Sequence, residues 1–232
     1  MDELLAEQVR YYRERAPEYD ATSRPDGDPF ANVTALAVGD LRRLGPVEHA
    51  IELGAGTGQF TGVLAEIAGQ VTALDTSPEV LALNAAKVQA GNVRRVVGDV
   101  FAWRPAEPVP LVVFGFLLSH IPRQRFAAFW QSVGEMLALD GVAFVIDETP
   151  HGAWREETAA AEGDEGGAGR VVREGAAVGE VVVRTLRDGR RFRIVKVLWD
   201  PAELGGALAR LGWETRLTRG DPFYWGTVRP VD

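Results

Sequence analysis

The stretch AIELGAGTGQF, residues 50–60, decides how this chain is organised. Its first half is a short apolar run that predicts a buried strand with one acidic residue, Glu52. Its second half places glycine at every second position, Gly54, Gly56 and Gly58, and a helical pattern follows directly. Glycine has no Cβ, so this backbone can turn sharply and let a ligand lie against it. Because the N–H groups that open a helix lack partners within the helix, the stretch predicts a cradle for a nucleotide-like cofactor.

Strands and helices alternate downstream of this loop. Periodicity predicts strand 49–53, helix 58–68, strand 71–75, helix 78–90, strand 93–97, strand 111–116, helix 122–138 and strand 142–147. Short apolar runs such as VTALD, LVVFGF and VAFVID are typical of strands buried on both faces. The alternation therefore predicts an α/β fold, a Rossmann-like and mostly parallel sheet with helices on both faces.

The segments around this core complete one predicted domain, residues 1–232. Residues 1–45 form a helical cap before the core of 46–148. Residues 149–199 hold a Gly- and Glu-rich stretch, interpreted as a solvated loop or a lid, and a β-hairpin turning at Asp188-Gly189. Residues 200–232 predict a helix and two strands, with an antiparallel strand at the C-terminal end of the sheet.

Composition excludes several classes of function. The 232 residues include 25 basic and 33 acidic side chains, a net charge of −8 with no basic stripe, which argues against a nucleic-acid partner. The sequence lacks a long apolar span and an apolar signal segment, so we expect no membrane contact and a cytoplasmic location. It has no cysteine and three separated histidines, so we expect no metal site. A small molecule or a protein remains as substrate; the oligomeric state stays open, with a homodimer as one alternative.

The spacing of the glycines separates two kinds of cofactor. Dinucleotide enzymes carry G-x-G-x-x-G, but here the sixth position is Gln59. An acidic residue, Glu52, also lies two positions before the first glycine. The pattern Glu52-x-Gly54-x-Gly56-x-Gly58 resembles motif I of the class I S-adenosylmethionine (SAM)-dependent methyltransferases.

Other segments extend this resemblance from about residue 11 to residue 228. Asp75 ends the second strand, where the family binds the ribose hydroxyls. Asp99 and Val100 follow the third strand, where the family contacts adenine. Strand 111–116 matches the fourth motif, and YYRERAPEYD resembles the lead-in segment whose tyrosines close over the cofactor. The wording FGFLLSHIP is similar to small actinobacterial-type methyltransferases that act on small molecules.

The resemblance implies SAM as cofactor, S-adenosylhomocysteine (SAH) as product, and no metal. Taken alone, Asp75 and Asp99 would be interpreted as helix or turn caps, but their joint placement favours cofactor binding. The implied cofactor-binding residues are Tyr12, Tyr19, Glu52, Gly54, Ala55, Gly56, Asp75, Thr76, Asp99, Val100 and Phe114.

The family transfers the methyl group by in-line displacement, which depends mainly on alignment of the acceptor. An O–H or N–H acceptor must also lose a proton. His120, which follows the fourth strand, is the predicted general base, since imidazole titrates near neutral pH. The alternative is that His120 caps a helix or bonds a backbone carbonyl, with catalysis by positioning alone.

Residues that should converge on the acceptor come from several segments. The predicted substrate-binding residues are Tyr11, Phe116, His120, Glu148 and Trp154. Ordinary core packing is the alternative for Phe116 and for one of Tyr11 and its neighbour in sequence. Arg184, Arg193 and Lys196 could meet an acidic acceptor or form a solvated hairpin face.

The sequence thus predicts a SAM-dependent methyltransferase that modifies O, N or C of a small, aromatic, natural-product-type acceptor. Two alternatives remain, an NAD(P)-dependent oxidoreductase and a non-catalytic SAM-binding protein. The missing third fingerprint glycine and the Gly98-Asp99 pair argue against the oxidoreductase.

Overall fold

A computed structural model describes residues 1–19, 31–150 and 180–231. Within these ranges it contains the strands β1 Val47–Leu53, β2 Ala68–Asp75, β3 Val93–Val97, β4 Val109–Gly115, β5 Leu137–Glu148, β6 Val181–Thr185, β7 Arg191–Val195, β8 Trp213–Arg219 and β9 Phe223–Pro230. Seven of them form a sheet in the order β3-β2-β1-β4-β5-β9-β8, and β6 pairs with β7 separately.

The sheet is parallel from β3 to β5, and β9 runs antiparallel to both of its neighbours. The predicted Rossmann-like sheet with an antiparallel C-terminal strand is therefore confirmed. β1 lies between β2 and β4, so the connections leave it in opposite directions. Such a reversal opens a crevice at the carboxyl ends of the strands, where ligands bind in open α/β sheets.

The described helices are α1 Asp2–Arg15, α2 Ala31–Arg42, α3 Thr61–Ile67, α4 Pro78–Lys87, α5 Phe126–Met136 and α6 Pro201–Ala209. Side chains of α2 and α3 share an apolar cluster with one face of the sheet. Side chains of α5 and α6 share another with the opposite face. In the part of the chain described, no helix is both long and apolar enough to cross a membrane.

Strand β4 shows why the central strands are apolar throughout. Leu111 and Val113 point into the cluster with α2 and α3, whereas Val112 and Phe114 point into the cluster with α5 and α6. All four side chains are fully buried. Because successive side chains of a strand face opposite sides, a sheet covered on both faces needs apolar residues at every position.

Polar side chains cap the first turns of two helices. Ser77 Oγ accepts a hydrogen bond from the Val80 N–H at 3.2 Å, and Pro78 opens α4. Asp200 does the same for the Ala202 N–H at 2.9 Å, ahead of Pro201 in α6. These side chains satisfy N–H groups that the first helical turn leaves unpaired.

The β6-β7 hairpin packs against α1 rather than standing free. Tyr11 shares an apolar cluster with Leu186, Phe192 and Ile194 of the hairpin. The Glu7 carboxylate accepts from the Arg193 N–H at 2.6 Å and from its Nε at 2.9 Å. The predicted hairpin is thus observed, and its docking fixes the position of α1. The predicted lid loop lies outside the described residues.

The backbones of β8 and β9 approach each other closely at Gly226 of β9. Its φ is 154°, and a Cβ there would lie 2.0 Å from the Arg216 carbonyl oxygen of β8. We expect Gly226→Ala to lower the free energy of unfolding in urea by about 2 kcal/mol or more, because backbone must move. Gly39→Ala in α2 is the control: nothing lies within 4 Å of its Cβ position, so it should stabilise by about 0.5–1 kcal/mol. Equal effects of the two changes would contradict the packing described.

Candidate functional site

A cavity of about 530 Å³ opens at the carboxyl ends of β1 and β4, in the crevice made by the reversal of strand order. This volume lies within the range of small-molecule sites. Its walls come from α1, the glycine loop, the ends of β2 and β4, and the turn after β3. The predicted site residues among them are Tyr12, Tyr19, Gly54, Gly56, Asp75, Thr76, Asp99, Val100, Phe116 and His120.

The glycine loop forms the floor of the cavity. Gly54, Gly56 and Gly58 have φ of 63°, 54° and 97°, a left-handed backbone that side chains rarely tolerate. A Cβ on Gly56 would meet only the Gly54 carbonyl oxygen, at 3.9 Å. The alternate glycines thus bend the chain away from β1 and leave space directly above the backbone, as predicted for a cradle.

Asp75 holds this loop from the end of β2. Its Oδ2 accepts from the Gly56 N–H at 2.9 Å, and its Oδ1 accepts from the Ser77 N–H at 3.0 Å. Burial raises the pKa of this carboxyl, while the hydrogen bonds from Ser77 and Gly56 oppose the shift. Each oxygen keeps a further lone pair, so the carboxylate can fix the loop and still accept from a ligand at the cavity wall.

A buried polar network supports the loop from beneath. Glu52 accepts from the Thr61 hydroxyl, which accepts from Asn84 Nδ2 at 2.8 Å. Asn84 Nδ2 also lies 3.3 Å from the Gly56 carbonyl oxygen, and its Oδ1 accepts from Arg95 Nε at 2.9 Å. Glu52 is only 2% exposed, and burial raises its pKa to about 8. At neutral pH the network therefore contains a largely protonated carboxyl.

Asp99 and Val100 form the opposite end of the cavity. Asp99 Oδ1 accepts from the Phe101 N–H at 2.9 Å, so the carboxylate does cap a turn. It is also exposed at the cavity mouth, beside the largely buried Val100. The capping and the ligand-binding interpretations of Asp99 are thus compatible.

Tyr12, Tyr19, Phe116 and His120 converge at the other end. Tyr12 and His120 meet edge to face, with ring centroids 5.2 Å apart. Phe116 has a φ of 55°, the only left-handed non-glycine residue in the described ranges, and its N–H donates to the Ile146 carbonyl oxygen at 2.8 Å. Backbone strain of this kind is found where the surrounding structure holds a residue for function.

His120 is buried, with 8% of its surface exposed. Burial lowers the pKa of its ring well below the usual value, and the positive charges of Lys196, Arg184 and Arg15 lower it further. Its Nε2 lies 2.7 Å from the Tyr12 hydroxyl and its Nδ1 2.7 Å from the Val195 carbonyl oxygen. The residue is a neutral imidazole with both nitrogens engaged.

Five predicted site residues within the described ranges do not line the cavity: Tyr11, Glu52, Ala55, Phe114 and Glu148. Phe114 is fully buried against Phe129 and Trp130, because it points to the α5 side of β4; its predicted cofactor contact is corrected. Tyr11 faces the hairpin and not the cavity, since adjacent helical residues point in different directions. Glu52 and Ala55 lie beneath the loop surface.

The end of β5 lies behind the part of the cavity formed by Tyr12, Tyr19, Phe116 and His120, which is called the acceptor end below. The Asp147 carboxylate, 1% exposed, accepts from the Ser119 N–H at 2.8 Å and so anchors the turn Leu118–His120. Burial raises its pKa to about 6. Glu148 pairs with the buried Lys196 at 3.0 Å. Trp154, predicted to bind substrate, lies outside the described residues.

Two further contributions were not predicted. Leu5 and Val9 of α1 line the cavity, and Leu5 also packs against the core cluster on the α5 side of the sheet. Gln8 joins α1 to two other elements: its Nε2 donates to the His120 carbonyl at 3.1 Å and its Oε1 accepts from the Val195 N–H at 2.8 Å. A polar residue on a surface helix does not by itself predict hydrogen bonds to two distant elements.

Comparison with known proteins identifies the ligand class. The family described as "Methyltransferase domain" matches residues 50–141. The chain is 36% identical to the protein of a DhpI–SAH complex structure, with 98% of this chain and 97% of that chain covered and a TM-score of 0.79. A DhpI-SAM-HEP complex gives 37% identity, 98% coverage of both chains and a TM-score of 0.77. The chain belongs to the class I SAM-dependent methyltransferases.

A relative from Staphylococcus carnosus (strain TM300), named an uncharacterized methyltransferase, is 26% identical over 141 residues, 60% of this chain and 67% of the relative. The predicted family, reaction class and cofactor are confirmed. SAM supplies a methyl group already activated on a sulfonium sulfur.

The cavity of this methyltransferase has space for a ligand directly above the glycine loop. Above Gly56 there is open space where a Cβ would stand, and the Asp75 carboxylate lies beside it. By the family resemblance, Asp75 would hold the ribose and Asp99 with Val100 the adenine. Val9, an apolar residue that is 37% exposed on the cavity side, would be covered by such a ligand.

Glu52 makes stability depend on pH. Its folded-state pKa of about 8 exceeds the ordinary value of 4.5, so the folded protein holds the proton more tightly than the unfolded chain. Ionisation of Glu52 therefore costs stability as pH rises from about 4.5 to 8. We expect Glu52→Gln, which cannot ionise, to gain on the order of 2 kcal/mol relative to wild type between pH 5 and pH 8 in urea unfolding. A difference that does not change with pH would contradict this assignment.

Asp75 is expected to serve both loop and ligand. Asp75→Ala removes the acceptor for two backbone N–H groups, so it should lower the unfolding free energy by about 1–3 kcal/mol and weaken SAM binding at least tenfold in calorimetric titration. Asp140→Ala, an exposed aspartate near the start of β5, is the control and should change neither. Unchanged SAM affinity in Asp75→Ala would count against the placement of the cofactor.

Proposed function

We propose that this enzyme methylates a small-molecule acceptor that carries an acidic group. The proposal rests on one observation, the positive charge around the acceptor end. Lys196, Arg184 and Arg15 all act electrostatically on the ring of His120, which forms part of the cavity wall.

The hairpin supplies two of these cations, the buried Lys196 and the half-buried Arg184. Lys196 is 8% exposed and faces Glu148. Burial lowers the pKa of Arg184, while Tyr11, Tyr12 and Glu148 oppose that shift. Arg193, by contrast, lies on the outer side of the hairpin in a bond with Glu7. The charges predicted on the hairpin thus divide into two near the cavity and one on the surface.

Charge balance favours an anion in this place. The sulfonium of SAM adds one positive charge to a region that already holds three cations. Glu148 pairs with Lys196, and the Asp75 and Asp99 carboxylates line other parts of the cavity. An acidic group on the acceptor would lower the electrostatic cost of placing the sulfonium near these cations.

The size and neighbours of the site support a small acceptor. The cavity of about 530 Å³ must hold SAM as well. The 37% identical relative forms a complex named for SAM and a further component, HEP. The name of that complex supports the proposal that this fold can hold a second ligand beside SAM. Tyr12, Tyr19 and Phe116 on the wall support the predicted aromatic character of the acceptor, and O, N or C remains the proposed methylated atom.

A panel of paired acceptors tests this function. Purified enzyme and SAM are incubated with hydroxy- and amino-substituted acids, aromatic and aliphatic, each paired with its neutral amide or ester. SAH release and a mass gain of one methyl group are measured. We expect turnover of an acid and at least a tenfold lower kcat/KM for its neutral partner. Equal use of both members would overturn the acidic acceptor, and no turnover of any small acceptor would overturn the proposed function.

Variants of the hairpin connect the result to the structure. Arg184→Met and Lys196→Met should each raise the KM for the acid about 10- to 100-fold, the effect of losing one charged interaction. Arg191→Met, at an exposed position of the same hairpin strand, is the matched control and should leave KM unchanged. Equal effects of all three would show that the hairpin acts only through its docking on α1.

A further inference from the structure

Hydrogen bonds around His120 have a direction that the geometry fixes. Nδ1 lies 2.7 Å from the Val195 carbonyl oxygen, which can only accept, so Nδ1 carries the ring hydrogen. In a neutral imidazole Nε2 then has a lone pair and no hydrogen. The Tyr12 hydroxyl, 2.7 Å from Nε2, is therefore the donor of that bond.

Both ends of this chain of hydrogen bonds are held by neighbouring elements. Gln8, one turn before Tyr12 on α1, bonds the His120 carbonyl and the Val195 N–H. The Val197 N–H donates to the Ser119 carbonyl at 2.7 Å, and Asp147 accepts from the Ser119 N–H. Helix α1, the turn after β4 and the hairpin thus meet at one point, so Tyr12 and His120 are preorganised for each other.

The arrangement leaves no ring nitrogen of His120 to face an acceptor. One nitrogen donates to a carbonyl and the other accepts from tyrosine. The Tyr12 hydroxyl, whose hydrogen points at His120, keeps a lone pair that can accept a further hydrogen bond. Tyr12 and His120 both line the cavity, so the hydroxyl is the group that can reach an acceptor there.

We propose that Tyr12 accepts the proton of the methyl acceptor and passes its own proton to His120, which acts as a positioning residue and proton store. The proposal rests on the proposed methyl transfer to an O–H or N–H acceptor. It changes the predicted division of work, in which His120 contacts the acceptor and Tyr12 contacts the cofactor.

With a hydroxyl acceptor, two proton transfers accompany the transfer of the methyl group. The acceptor O–H bond breaks and its proton bonds Tyr12 Oη, while the Tyr12 O–H bond breaks and its proton bonds His120 Nε2. The freed electron pair of the acceptor oxygen forms the bond to the methyl carbon, and the carbon–sulfur pair stays on sulfur. One positive charge leaves the sulfonium and one appears on the imidazole, so the total charge of the pocket is unchanged.

The protonation states support a relay and not a standing phenolate. Burial raises the pKa of Tyr12 well above its usual value, so the tyrosine is a neutral phenol at rest. His120 is a neutral imidazole for the reasons given above. The resting pair can take one proton without first losing one, and His120 would hold that proton only transiently, because burial and the nearby positive charges disfavour its charged form.

Nitrogen-15 NMR of the full chain tests the direction of the bonds without an acceptor. The protein has three histidines, so His49→Gln and His151→Gln assign the His120 signals. At pH 7 we expect a protonated Nδ1 and an unprotonated Nε2, and Tyr12→Phe should shift Nε2 alone. A ring protonated on Nε2, or on both nitrogens, would overturn the relay.

Kinetics with an acceptor from the panel test the transfer itself. Tyr12→Phe should lower kcat about 100-fold for a hydroxyl acceptor, but only a few-fold for an acceptor whose reacting oxygen is already ionised. Calorimetric SAM affinity should be unchanged, which separates this function from cofactor binding. Tyr224→Phe, a core tyrosine on β9, is the control and should retain full kcat.

A double variant decides whether the two residues act as one unit. If they do, His120→Gln combined with Tyr12→Phe should be no slower than the slower single variant. Additive losses, or equal losses for neutral and ionised acceptors, would overturn the proposal. Failure to methylate any acceptor would instead count against the proposed function, and the NMR result would still decide the hydrogen-bond direction.

Discussion

The bond from the Gly56 N–H to the Asp75 carboxylate is the interaction on which the site depends. The loop after β1 turns away from the sheet through left-handed glycines. Glycine by itself has little preference for one backbone conformation. A charged acceptor at the end of the next strand selects that shape, and such bonds contribute roughly 1.5–3 kcal/mol each. Because Asp75 also lines the cavity, the same carboxylate that shapes the floor is available to a ligand.

Beneath the loop, the buried carboxyl of Glu52 is more stable in its neutral form than in its charged form. A buried ion would be costly at Glu52, and its raised pKa keeps the carboxyl largely protonated at neutral pH. Thr61 and Asn84 then complete the network to the Gly56 carbonyl. The acidic position of motif I thus acts here through the loop backbone and not at the cavity surface.

The two halves of the cavity have different structural origins. The sheet and its loops line the part of the cavity proposed for the cofactor, whereas α1, with the hairpin packed against it, lines the part proposed for the acceptor. Glu7 and Gln8 fasten α1 to β7 with backbone hydrogen bonds, which places Tyr12 against His120. On the proposals above, acceptor choice and proton transfer would depend on how the N-terminal helix docks.

This division also explains how much the sequence predicts. The mostly parallel sheet with an antiparallel C-terminal strand follows from local patterns along the strands, so it was predicted correctly. Asp75 and Asp99 both line the cavity, and their contacts with the cofactor remain predictions. The choice between Phe114 and Phe116, or between Tyr11 and Tyr12, depends on which way one side chain points. A hairpin some 180 residues away decides it for the tyrosines. Gln8 and Asn84 carry no sequence signal, since a polar side chain becomes a bridge only after distant elements meet. The state of His120 likewise depends on a carbonyl 75 residues away.

The most direct test is a crystal structure of the enzyme soaked with SAH. The ribose should lie on the Asp75 carboxylate, the adenine between Asp99 and Val100, and the sulfur at the end lined by Tyr12 and His120. SAH bound in the reverse direction, or outside this cavity, would contradict the proposed site and the division between its two halves.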